Sequence, residues 1–129
     1  MRTADKILVA GYRGMVGSAL VRALRGRGYS NLLLAERAEV DLIDQAPVRR
    51  FFEAERPAYV FLAAARVGGI VANNTLRADF IYDNLTIAAN VIRAAYDHDV
   101  TKLLNLGSSC IYPREAPQPL REEALLTGP

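Results

Sequence analysis

The sequence predicts an α/β fold built on one doubly wound parallel sheet, and three observations carry that prediction. Short apolar runs alternate with longer segments of helical periodicity. The order along the chain reads β-α-β-α-β-α-β and then loop. A glycine-rich turn joins the first run to the first helix. Strands that alternate with helices need right-handed crossovers, which leave neighbouring strands parallel.

Each element has its own signal. Ile7-Leu8-Val9-Ala10 is a short continuous apolar run closed by Gly11, the pattern of a strand covered on both faces. From Met15 to about Arg25, Val16, Ala19, Leu20, Ala23 and Leu24 recur at helical spacing, and Gly26 and Gly28 stop the helix. Leu32-Leu33-Leu34-Ala35 reads as a second buried strand. Residues from about 44 to 55 read as an amphipathic helix on Val48, Phe51 and Phe52, with Pro57 beyond it. Tyr59 to Ala63 predicts a third strand, and Gly68, Gly69, Asn73 and Asn74 predict a loop after it. A longer helix is expected from about Leu76 to His98, then a fourth strand from Lys102 to Leu106 ended by Gly107. The tail after Tyr112 holds Pro113, Pro117, Pro119 and Pro129 and reads as loop.

Composition narrows the function classes. The 129 residues fit one domain, with no internal linker to divide residues 1–129. Half the chain is apolar, enough for a real core. The net charge of +2 is small and the charged residues are mixed in sign, which argues against a nucleic-acid partner. The lone cysteine, Cys110, allows no disulfide within the chain and suits a reducing compartment. The first residues do not make a secretory signal, and no apolar run approaches the roughly 18 residues of a membrane span. The expectation is a cytoplasmic protein with no membrane partner. No cluster has metal-ligand spacing, so no metal is expected.

The turn Gly11-Tyr12-Arg13-Gly14-Met15-Val16-Gly17 lies between a predicted strand and a predicted helix, the context that makes such a pattern a dinucleotide fingerprint. Gly11 permits the tight exit from the strand. Gly14 lets backbone approach a pyrophosphate, and Gly17 lets the helix pack closely. Met15 and Val16 open the helix, where free N–H groups and the helix dipole favour phosphate. The expected fold is therefore Rossmann-type.

The second strand ends in Ala35-Glu36-Arg37. An acid there usually bonds the ribose 2′-hydroxyl of NAD, and an arginine suits the 2′-phosphate of NADP. Arg13 adds a second guanidinium that can fork onto the same phosphate. Two arginines converging on one site make NADP(H) the expected cofactor, with Glu36 pointing away or pairing with a neighbouring cation. Asp41, followed by Leu42, is either an adenine contact or a capping or turn residue.

The spacing G-x-x-G-x-x-G is similar to that of the extended branch of the short-chain dehydrogenase/reductase superfamily. Two further stretches narrow the likeness. With the glycine turn, Ala63-Ala64-Ala65-Arg66-Val67-Gly68-Gly69-Ile70-Val71-Ala72-Asn73-Asn74 and Leu106-Gly107-Ser108-Ser109-Cys110-Ile111-Tyr112-Pro113 closely resemble the GDP-L-fucose synthase family. The resemblance runs from about Ile7 to the end of the chain.

That resemblance implies that Gly11, Gly14 and Gly17 hold the pyrophosphate, that Arg13 and Arg37 favour NADP, and that Asp41 and Leu42 lie at the adenine. It implies that Ala63, Ala64 and Ala65 pass under the cofactor. Ser108 matches the serine that hydrogen-bonds the substrate's C4 oxygen, and Cys110 the epimerisation acid/base. The implied reaction epimerises GDP-4-keto-6-deoxy-D-mannose at C3 and C5, then reduces C4 with NADPH. Ser109 reads as structural, and His98 as a surface residue at a helix end.

The sequence departs from the superfamily in one respect. None of its tyrosines has a lysine four positions on, so the Tyr-x-x-x-Lys pair is absent, as is the family's epimerisation histidine. The expectation is an incomplete cofactor domain, truncated after about four strands, without the substrate domain and inactive alone. The complete enzyme is expected to be a homodimer, and this portion to expose apolar surface. The alternatives are a non-catalytic dinucleotide-binding module, and another epimerase or dehydratase of sugar nucleotides.

Overall fold

The computed structural model describes residues 1–128, so Pro129, the last proline of the tail, lies outside the described residues. The elements are β1 (Ile7–Ala10), α1 (Met15–Gly26), β2 (Leu32–Leu33), α2 (Gln45–Glu55), β3 (Tyr59–Leu62), α3 (Ile70–Thr75), α4 (Arg77–Asp97) and β4 (Lys102–Asn105). Two 3₁₀ turns, Ser109–Ile111 and Glu122–Ala124, follow in the tail. The four strands form one parallel sheet in the order β2-β1-β3-β4.

Side-chain alternation on β1 builds the two faces. Leu8 and Ala10 point to one side, where Val48 and Phe52 of α2 and Ile87, Val91, Ala94 and Ala95 of α4 cover them. Ile7 and Val9 point to the other, against Val21 and Leu24 of α1. Helices on both faces make this the doubly wound Rossmann-type sheet expected from the alternating pattern. The chain leaves β1 for β2 on one side and reaches β3 on the other. That reversal opens a crevice at the carboxyl ends of β1 and β3, where open α/β sheets bind ligands.

Three expectations need correction. The second strand is two residues long, not four. Its ladder ends at Leu33 opposite Leu8. The next residues feed a turn in which Val40 N donates to Glu36 O and the Glu36 N–H donates to the Glu39 carboxylate. Leu34 and Ala35 still face opposite clusters, so the alternation survives where the ladder does not.

The stretch expected as loop holds α3. Its polar side chains turn back on its own backbone: Asn73 Nδ2 donates to Gly68 O at 2.8 Å, and Thr75 Oγ1 to Val71 O at 2.9 Å. His98 is no free surface residue. It is half-buried and stacked on the Phe52 ring at 6.4 Å between centroids. The outer side of α4 exposes Ile81, Leu85, Ile92 and Tyr96. Among the described residues, no helix is long and apolar enough to cross a membrane.

Candidate functional site

The glycine turn is built on contacts that exclude side chains. Gly11 has φ +81°, and a Cβ there would lie 2.6 Å from the Ala63 carbonyl oxygen. Ala63 is held in that position by its N–H, which donates to Ala10 O at 3.0 Å. A Cβ on Gly17 would overlap the Gly11 carbonyl oxygen and approach Tyr12 Cα to 2.8 Å. The atoms that Gly17 accommodates thus belong to the turn rather than to the sheet. Gly14 is the N-cap of α1 and offers no side-chain cap, and no acidic residue occupies the first turn. The N–H groups of Met15 and Val16 are therefore left for an anion. Met15 is 87% exposed there.

Beside the turn lies a cleft of about 860 Å³. Gly11, Tyr12 and Arg13 form one wall, Glu36, Arg37, Asp41 and Leu42 another, and Ala64 and Ala65 the third. Ala63 sits beneath Gly11 and does not line it. The size suits a dinucleotide half or a drug-sized ligand.

The two arginines do not converge. Arg13 pairs with Glu36, whose Oε1 also accepts from the Tyr12 hydroxyl at 3.1 Å. The Tyr12 hydroxyl first, then the Glu36 carboxylate, hold the Arg13 guanidinium above its ordinary value. Arg37 pairs instead with Asp41 at 3.3 Å. Of the options open for Glu36, pairing with a neighbouring cation is the one adopted. Asp41 acts as a turn residue here, its Oδ1 accepting from Ile43 N at 3.1 Å, while Asp44 caps α2. Both ion pairs are exposed and so hold their arginines only weakly.

Cys110 lies on the 3₁₀ turn after β4 and Ser108 is the N-cap of that turn, both outside the lining of the cleft. Both are exposed. Ser108 Oγ accepts from Cys110 N at 3.2 Å, which fixes their spacing.

Sequence reasoning missed two groups that shape the cleft. Asn90, only 9% exposed, donates from Nδ2 to Leu42 O at 2.9 Å and Ile43 O at 3.0 Å. It thereby fixes the wall that carries Asp41 and Leu42. Its signal was an amide inside the apolar stripe of α4, next to Val91. Asn84 clamps the Arg66 backbone in both directions, at 2.7 and 3.0 Å, while the Arg66 guanidinium meets Asp83 at 2.7 Å. This anchors the segment after β3 to α4.

A parallel sheet wound on both faces, opened at a reversal point beside a glycine turn and an uncapped helix, defines a Rossmann-type nucleotide-binding protein. Within that class, the chain belongs to the NAD dependent epimerase/dehydratase family, whose sequence profile matches residues 7–129. It is 63% identical over 123 residues to GDP-L-fucose synthase 1 of Arabidopsis thaliana, covering 95% of this chain and 38% of that protein. It is 56% identical over 124 residues to GDP-L-fucose synthase of Escherichia coli K12, covering 96% of this chain and 39% of that protein. The chain therefore spans about two-fifths of the length of the curated relatives it matches. Among solved structures, it is similar to MlghC, a GDP-mannoheptose C4 reductase from Campylobacter jejuni with NADP bound. The TM-score is 0.93 and the identity 46%, over 99% of this chain and 40% of that one.

Proposed function

We propose that this chain is the NADP(H)-binding portion of a GDP-L-fucose synthase, which epimerises GDP-4-keto-6-deoxy-D-mannose at C3 and C5 and reduces C4. The observation that carries the reading is the cradle at the reversal point, where backbone fills the space that a Cβ on Gly11 or Gly17 would need. A dinucleotide fits that cradle and the adjoining cleft. When bound, NADPH supplies the hydride for the C4 ketone.

The chain's own residues bind and orient. The open N–H groups of Met15 and Val16, with Gly14, take the pyrophosphate. Asp41 and Leu42 meet the adenine, and Ala64 and Ala65 are small enough to let the cofactor close. Arg13 and Arg37 release their carboxylates and bind the 2′-phosphate. Ser108 donates to the C4 oxygen as charge develops on it. Cys110 exchanges protons at the carbons flanking the ketone, which enolate formation makes acidic. The complete enzyme works in the cytoplasm as a homodimer, and the exposed apolar side of α4 supports a subunit contact there.

Titration of the chain with NADPH, followed by nicotinamide fluorescence, tests the cofactor site. Saturable binding is expected, and Arg37→Ala should weaken it about tenfold, the worth of one hydrogen bond to a charged group. Absence of NADPH binding in a form of the protein that turns over would overturn the reading. In a form of the protein that turns over, Cys110→Ser should slow C3/C5 exchange with solvent deuterium by about a hundredfold or more. Exchange at the unsubstituted rate would remove Cys110 from the mechanism.

A further inference from the structure

Four charged side chains line the rim of the cleft beyond β2 as two separate pairs, and within each pair the charges cancel. Arg13 is paired with Glu36, and Arg37 with Asp41. A rim devoted to a phosphate would gather cations without matching anions, because the ligand itself brings the negative charge. Here each guanidinium is already answered by a carboxylate of the chain. Glu36 is also more than a chance neighbour. It takes donors from two residues of the glycine turn, Tyr12 and Arg13, and so is drawn against the wall of the cleft. An acid at the end of this strand is the group that bonds the 2′-hydroxyl of NAD, and an arginine there suits the phosphate of NADP. This rim holds both.

We propose that Glu36 selects between cofactors by competing for Arg13, so that the cleft takes NADH as well as NADPH. The inference rests on the cleft being a dinucleotide site. With NADH, Glu36 accepts a hydrogen bond from the ribose 2′-hydroxyl and keeps Arg13 neutralised. With NADPH, the 2′-phosphate displaces the carboxylate and takes Arg13 for itself. The pair is exposed, its side chains 71% and 41% accessible, so the exchange is cheap in either direction.

The test is a set of titrations with NADPH and NADH on the chain, on Glu36→Gln, and on Glu53→Gln as a control that removes the same charge from the exposed face of α2. Far-UV circular dichroism on each variant checks the fold, and the half-exposed position of Glu36 makes it a safe substitution. The unsubstituted chain is expected to bind both nucleotides with dissociation constants within about tenfold of each other. Glu36→Gln should raise the preference for NADPH by about tenfold or more, chiefly by tightening NADPH, because a repelling charge has left the phosphate site. Glu36→Ala serves as the second variant and should shift the ratio the same way while further weakening NADH. A ratio that moves in Glu36→Gln no more than in Glu53→Gln overturns the proposal. So does an unsubstituted chain that prefers NADPH by more than about a hundredfold. If neither nucleotide binds the unsubstituted chain, the dinucleotide reading itself fails, an outcome distinct from an unmoved ratio.

Discussion

Gly17→Ala should destabilise the chain by more than about 3 kcal/mol, beyond the usual cost of adding a methyl to a packed site. The reason is what the new methyl would strike. It would overlap the Gly11 carbonyl oxygen and press on Gly11 C and Tyr12 Cα. These are backbone atoms of a turn that also packs Gly11 against Ala63, so no side chain can swing aside. The helix must lift or the turn must open, and either movement removes the cradle proposed for the pyrophosphate. Gly26→Ala, at the other end of the same helix, should do the reverse. Nothing lies within 4 Å of a Cβ there, and alanine gains about 0.5–1 kcal/mol over glycine in a helix. Urea denaturation of the two variants, with NADPH titration alongside, checks both signs. Equal midpoints for Gly17→Ala and the unsubstituted chain would show that the turn yields more easily than its contacts imply.

Phe52→Ala should cost about 3–5 kcal/mol, the range for emptying a large aromatic from a core. Phe52 is fully buried and belongs to the cluster that joins α2, α4 and one face of the sheet. Its ring also supports His98 and lines the floor of the cleft. A domain of this size has about 5–15 kcal/mol in total, so the variant should retain a marginal fold at best. The check is its thermal midpoint and its near-UV spectrum. A fall below about 1 kcal/mol would mean that α4 collapses into the space, which the packing on both sides of Phe52 opposes.

The parts of the fold that were legible in the sequence are those whose signals are local. β1 and β3 are continuous apolar runs between glycine, proline and polar residues, and α4 keeps a helical stripe over most of its length. The glycine turn was legible because sterics leave so few ways to leave a strand, enter a helix and admit a phosphate. What was not legible depends on neighbours distant in the chain. The length of β2 is set by where its path leaves β1, which Leu34 and Ala35 do not announce. The composition of Ile70–Thr75 argues for loop, yet its backbone closes helical bonds, Asn73 N–H to Gly69 O and Leu76 N–H to Ala72 O, while Asn73 and Thr75 turn their side chains back on the same segment. His98 reads as surface until the rotation of α4 sets it on Phe52.

The candidate site divides in the same way. The residue types at Gly11, Gly17, Arg13 and Arg37 were readable, and the contacts of the glycines follow from backbone geometry. The partners of the arginines were not readable, since long charged side chains choose among several neighbours at little cost. Asn90 was overlooked because an amide in an apolar stripe carries no sign of which distant carbonyl it serves.

Asn90 and Asn84 lie on one helix and grip opposite walls of the cleft: Asn90 the segment after β2, Asn84 the segment after β3. Helix α4 is therefore a splint across the mouth of the site. The two walls cannot breathe independently, because spreading either one breaks amide hydrogen bonds anchored to the same rigid rod. The spacing between the wall after β2 and the wall after β3 is set by the pitch of a helix, a ruler that neither loop could supply by itself.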